Sequence, residues 1–142
     1  MRINFYELET VENCDLKYAV IITQYKNQWV LVRHKERTTW EIPGGHRERE
    51  ENIYETAPRE LIEETGAVKF NIEPICIYSV EVGNIESYGQ LFYANIEVLG
   101  ELPTSEIAEV RSSNNLPENL TYPNIQPYLL DKCIQWLKDN KK

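Results

Sequence analysis

Positive charge is what this 142-residue chain has least of: 15 Lys and Arg stand against 23 Asp and Glu, for a net charge of −8. That balance argues against a general duplex-binding protein, which needs a basic face to displace counterions from phosphate. Small phosphorylated ligands remain open to it, because a divalent metal held by carboxylates reverses the sign locally. Cysteine is scarce too. Cys14, Cys76 and Cys133 are odd in number, stand far apart and follow no C-x-x-C or zinc-like spacing, so they read as reduced core thiols. Apolar residues never run together for the roughly 18 positions that a membrane span needs, and Met1 to Glu7 contain no apolar h-region. The expectation is a cytoplasmic protein that partners neither a membrane nor nucleic acid. Six Gly and seven Pro are spread along the chain without repeat, linker or low-complexity tract, so residues 1–142 are expected to form a single domain.

Glutamate is what the chain has in excess, and it is crowded into Pro43 to Ala67, "PGGHREREENIYETAPRELIEETGA". A soluble helix gains nothing from like charges at i and i+4, which cost about a few tenths of a kcal/mol per pair. Upstream, Tyr18-Ala19-Val20-Ile21-Ile22-Thr23 and Trp29-Val30-Leu31-Val32 predict a two-stranded hairpin, and Thr38 to Ile42 a short extended piece stopped by Pro43-Gly44-Gly45. Asn52 to Thr65 predicts a helix, with Asn52 as N-cap, Glu55 completing a capping box and Gly66 as the stop. Ile53, Ala57 and Leu61 give it a buried stripe, while Glu60, Glu63 and Glu64 share another face. Pro58 deletes a backbone bond at a cost of about 3 kcal/mol and predicts a kink or a delayed start. Ile72 to Val82 and Gln90 to Val98 read as strands, and the periodicity from Pro127 to Leu137 predicts a closing helix.

From Gly45 the spacing is Gly45, five residues, Glu51, seven residues, Arg59-Glu60-Leu61, one residue, Glu63-Glu64, one residue, Gly66-Ala67. This resembles the Nudix box, G-x5-E-x7-R-E-U-x-E-E-x-G-U with U apolar, and meets all seven fixed positions. The preceding Trp40-Glu41-Ile42-Pro43-Gly44-Gly45 is similar to the strand and turn that lead into the box. Ala67 at the last apolar position and Pro58 within the helix are departures. A fixed spacing over that many identities is far more specific than a lone glycine motif. The resemblance implies a Nudix-type α/β/α sandwich with a mixed sheet. It further implies a hydrolase of phosphoric anhydrides, cleaving a nucleoside diphosphate linked to another moiety. The ending "LPENLTYPNIQPYLLDK" resembles small bacterial mutator-type members, which act on oxidised nucleoside triphosphates. Members of the family are often homodimers.

The resemblance assigns Glu60, Glu63 and Glu64 as ligands of Mg²⁺, with Mn²⁺ as a substitute, joined by a carbonyl at the glycines, for which Gly45 is taken. Arg59 orients those carboxylates and Glu51 supports them. Hard cations choose such oxygens, and the metal orients a water in line with phosphorus while a spare carboxylate takes the proton. Glu60 and Glu63 are the candidates for that base within the box, and Glu106 or Glu109 are the candidates from a later loop. Arg33 and Arg47 are the cations expected to meet substrate phosphate. Tyr78, Tyr88, Phe92 and Tyr122 are candidates to stack a base. Plainer readings stand beside these: a solvated acidic helix face, ordinary surface arginines, core aromatics, and His34 and His46 as turn residues beside the cleft. The rival function is a non-catalytic nucleotide or nucleotide-sugar binding module on the same fold.

Overall fold

The computed structural model describes residues 1–140. Its strands are β1 (Arg2–Tyr6), β2 (Leu16–Tyr25), β3 (Gln28–His34), β4 (Gly44–His46), β5 (Ala67–Val82), β6 (Ile85–Leu99) and β7 (Ile107–Ser113). Two helices accompany them, α1 (Ile53–Thr65) and α2 (Gln126–Asn140). The seven strands form one sheet in the order β1-β5-β6-β2-β3-β7, with β4 pairing the first half of β2. β2 runs parallel to β6 while the other pairs are antiparallel, so the sheet is mixed.

Each face of the sheet is covered by one helix. Ile53, Ala57 and Leu61 of α1 pack with Ala19, Ile21, Phe92 and Ala94 on one side. Leu129, Leu130 and Cys133 of α2 pack with Ile22, Leu31, Cys76 and Leu91 on the other. Neighbouring strand residues point to opposite faces, so Ala19 and Ile21 meet α1 while Ile22 meets the α2 layer. The result is the α/β/α sandwich expected from the resemblance. Among the described residues no helix is long and apolar enough to cross a membrane.

α1 forms as its sequence predicts. The Asn52 side chain accepts from the Tyr54 N–H at 2.9 Å, and the Asn52 N–H donates to Glu55 at 2.9 Å. Asn13 adds a second cap from afar, accepting from the Ile53 N–H at 2.7 Å. Gly66 closes the helix with φ of 78°, the left-handed conformation that glycine adopts without a Cβ penalty. Pro58 does not delay the start, which stays at Ile53, because the reciprocal caps fix the first turn ahead of it.

Several boundaries differ from those the sequence suggests. Gly44-Gly45 is not a turn that stops the chain but the beginning of β4, and Thr38 to Ile42 makes only isolated bridges, Val32 with Glu41 and Trp40 with Leu120. β6 begins at Ile85, five residues before Gln90, and β5 begins at Ala67. The edge strands β1 and β7 carry little hydrophobic alternation and were not legible as strands.

Candidate active site

Glycine at two consecutive positions lets α1 and β2 close on β4 from both sides. A Cβ on Gly44 would lie 2.4 Å from the Ala19 carbonyl oxygen, and one on Gly45 would lie 2.4 Å from the Glu60 carboxyl carbon. Gly45 stands opposite Ala19, between the positions where Arg47 N–H bonds the Lys17 carbonyl and Ile21 N–H bonds the Pro43 carbonyl. Antiparallel pairs alternate, so Gly45 is a bonded pair with Ala19, whereas the backbone groups of Gly44 point away from β2. The Gly44 N–H accordingly donates to Glu64 Oε1 at 2.9 Å. The expectation of Gly45 as the carbonyl ligand is therefore corrected: its carbonyl faces the ladder, and Gly44 presents the outward one.

Beside these glycines a cleft of about 930 Å³ is lined by Glu60, Glu63 and Glu64 together with His34, Glu41 and Glu106. The three box glutamates thus face one cavity from a single helix. Their exposures are graded, with 13% of the Glu60 side chain, 51% of Glu63 and 9% of Glu64 exposed. Burial, reinforced by the Glu60, Glu41 and Glu106 carboxylates and opposed by the Gly44 N–H, pushes the Glu64 carboxyl up to about 8. Burial also raises Glu60, against the pull of Arg59.

Arg59 ties this cluster together. Its Nε donates to Glu51 Oε2 at 2.7 Å, its Nη1 to Glu60 Oε1 at 2.7 Å, and the same nitrogen lies 3.3 Å from Glu63 Oε2. A further bond to the His46 carbonyl at 3.1 Å fixes the guanidinium plane. Arg59 holds the Glu51 carboxyl down at about 2, and Glu51 in turn raises the arginine. Thr56 also donates to Glu51 at 2.7 Å, so Glu51 is anchored as a support for the arginine.

Hard carboxylate oxygens and an outward carbonyl are a donor set that suits Mg²⁺ or Mn²⁺. Glu64 is a carboxylate taken out of water beside other carboxylates, an arrangement that a cation relieves. Among the described residues no group of three or more His, Cys, Asp or Glu side chains is placed to hold a metal ion by itself.

The two arginines expected at substrate phosphate are placed differently. Arg47 donates to the carbonyls of Leu16, Glu48, Glu51 and Cys14 at 2.9 to 3.1 Å, pinning the loop before α1 to the start of β2. Arg33 donates to the Arg37 carbonyl at 3.0 Å and pairs with Glu109 at 3.4 Å. Neither lines the cleft, because backbone and strand partners consume both guanidiniums. Arg37 does line it, held by Glu41 at 2.9 Å. Glu106 lies in the cleft with 90% of its side chain exposed, while Glu109 is turned to Arg33. His34 is no turn residue: it closes β3, with Nε2 2.7 Å from Glu41 Oε1 and 3.7 Å from Glu64 Oε2. Arg37 and Glu41 were missed because only their meeting in space, four residues apart across a turn, singles them out. Of the aromatics, Tyr78 and Tyr122 line the cleft, Phe92 is core, and Tyr88 donates to Glu86.

A profile described as NUDIX domain matches residues 16–122. A CMP-5'-(N-acetyl-N-hydroxy-3-aminopropyl)phosphonate hydrolase of Streptomyces rubellomurinus is 30% identical over 117 residues, covering 77% of this chain and 56% of that protein. YtkD of Bacillus subtilis, provisionally named an 8-oxo-dGTP diphosphatase, is 31% identical over 108 residues, covering 74% of this chain and 66% of its own. The chain therefore spans between about half and two thirds of the length of these relatives. In fold, it matches the crystal structure of a mutant of the Bacillus subtilis pyrophosphohydrolase BsRppH with a TM-score of 0.76 and 24% identity, over 94% of this chain and 90% of that one.

Proposed function

This chain belongs to the Nudix family, and from that premise we propose that it is a divalent-metal-dependent hydrolase of the phosphoric anhydride in a nucleoside diphosphate linked to another moiety. One observation carries the reading: Glu60, Glu63 and Glu64 line a single cleft beside an outward-facing glycine backbone. The names of the curated relatives, a CMP-phosphonate hydrolase and a provisional 8-oxo-dGTP diphosphatase, support a nucleotide as the substrate. Nucleoside triphosphates, oxidised ones among them, head the candidates.

Glu60, Glu63, Glu64 and the Gly44 carbonyl are the residues that would hold Mg²⁺, or Mn²⁺ in its place. When bound, the ion supplies charge neutralisation at the phosphoryl oxygens and a water of lowered pKa. The chain's own residues do the rest. Arg59 keeps Glu60 and Glu63 aimed into the cleft, and Glu51 and the His46 carbonyl keep Arg59 in place. Glu106 takes the water's proton, because Glu60 and Glu63 already share Arg59 whereas Glu106 stands free but for His34 Nδ1 at 3.8 Å. Arg37, rather than Arg33 or Arg47, is the arginine placed with the carboxylates in the cleft to meet a substrate phosphate.

The test is a panel of nucleoside triphosphates, 8-oxo-dGTP, ADP-ribose, nucleotide sugars and dinucleoside polyphosphates, assayed for phosphate or pyrophosphate release with Mg²⁺ and with Mn²⁺. Metal-dependent turnover of at least one member supports the reading. Tight binding of a member without product over hours supports the binding module instead.

A further inference from the structure

The cleft has a second half that the carboxylate chemistry does not use. β5 contributes Tyr78 and Val82 to its lining and β6 contributes Ile85, and among the described residues neither strand adds a charged side chain there. One row crosses four strands: Tyr78 of β5 faces Gly89 of β6, Gly89 faces Tyr18 of β2, and Tyr18 faces His46 of β4. Gly89 is the gap in that row. A Cβ on it would lie 2.6 Å from ring carbons of Tyr78 and 2.7 Å from its hydroxyl oxygen, so the phenol lies across the strand in the space a side chain would fill. Tyr18 stands on the far side of the gap, its ring 4.5 Å from that of His46. Tyr78 is 5% exposed and lines the cleft. Val82 and Ile85, paired at the tip of the β5–β6 hairpin, are 59% and 72% exposed on the rim of the same cleft.

We propose that this half of the cleft is a nucleobase pocket in which Tyr78, laid flat by Gly89, reads a polar atom on the base edge while Tyr18 and the Val82–Ile85 rim cover its face. The proposal rests on the reading of the chain as a nucleotide hydrolase and names the part of the substrate that sets its specificity. The chemistry selects the ligand class. An uncharged wall of tyrosine rings and branched aliphatic carbon matches a heteroaromatic ring, whereas a phosphate calls for cationic partners. Pocket and carboxylates line one continuous cleft of about 930 Å³, of the size that holds a ligand with both a base and a phosphate chain.

Isotope-labelled protein titrated with adenosine, guanosine, cytidine and uridine, with ribose as the base-free control, tests this without requiring hydrolysis. The amides of Tyr78, Val82, Ile85 and Gly89 are expected to shift with at least one nucleoside and not with ribose. Tyr78→Phe keeps the ring and the fold, checked by its melting curve, and is expected to weaken the preferred nucleoside about fivefold and to flatten the preference among bases. The double substitution Val82→Ser with Ile85→Ser is expected to weaken all nucleosides alike. On a hydrolysed substrate both changes appear in KM and leave kcat in place. Nucleosides that move none of these amides, or variants that bind every nucleoside as the parent does, overturn the pocket. A parent protein that binds nucleosides here but turns over nothing on the panel overturns the hydrolase reading and leaves the pocket standing.

Discussion

α1 and α2 cover opposite faces of the same sheet and bury similar apolar stripes, but of the two only α1 carries a cluster of carboxylates into the cleft of about 930 Å³. α2 is a packing helix, with Leu129 and Cys133 fully buried. Its thiol and that of Cys76 are pushed up by burial, to about 12 and about 11, so both stay protonated and inert. α1 pays for its second face with clustered carboxylates, held by one arginine. The contrast predicts a separation of stability from chemistry: changes on α2 should cost folding energy, and changes to the α1 carboxylates should cost turnover.

The sharpest break of that contrast is Glu64→Gln. It keeps the shape and the bond from Gly44 but removes a carboxylate charge from the cleft, and turnover should fall about 10³-fold, ~4 kcal/mol of barrier, with the melting temperature held or raised. Steady-state kinetics beside a melting curve decide this. On the other side, Leu130→Ala removes packing under α2 and should cost about 2–5 kcal/mol by denaturant titration, while kcat per folded molecule stays unchanged.

Gly45→Ala divides the two effects at one position. The added methyl meets the movable end of Glu60, so it should displace the carboxylate and lower turnover about tenfold to a hundredfold with under about 1 kcal/mol of stability lost. Gly44→Ala, whose methyl meets the rigid Ala19 carbonyl, should instead destabilise the fold. A reversed ranking would contradict the account of the two glycines.

The smallest effect concerns acid. Glu51 titrates near 2 in the folded chain against an ordinary 4.5, so its contribution is complete above about 4.5 and is lost as pH falls towards 2. Melting temperature measured across that window should fall more steeply in the parent than in Glu51→Gln. Parallel curves would show that the Glu51–Arg59 pair adds nothing to stability.

How far the sequence carried these features depended on how local they are. α1, its caps at Asn52 and Gly66 and the glutamate register were legible because each is set within one or two turns of chain. Gly44-Gly45 reads locally as a breaker, and only the approach of Ala19 and Glu60 makes it a strand. Arg33 and Arg47 read as free cations because their acceptors, the carbonyls of Cys14 and Leu16 and the Glu109 carboxylate, lie far away in the chain. His34 and Glu41 form a pair across the intervening turn, brought together by the bridge between Val32 and Glu41, which neither residue announces by itself. β1 and β7 are edge strands whose polar outer faces leave no period to read.

The central claim is that Glu60, Glu63 and Glu64 together hold a hard cation beside Gly44. Mn²⁺ binding followed by electron paramagnetic resonance, with a non-hydrolysable nucleotide present, tests it most directly in the parent and in the variant with all three changed to Gln. The account predicts bound Mn²⁺ in the parent and its loss in the folded triple variant. Equal Mn²⁺ affinity in both proteins would contradict it.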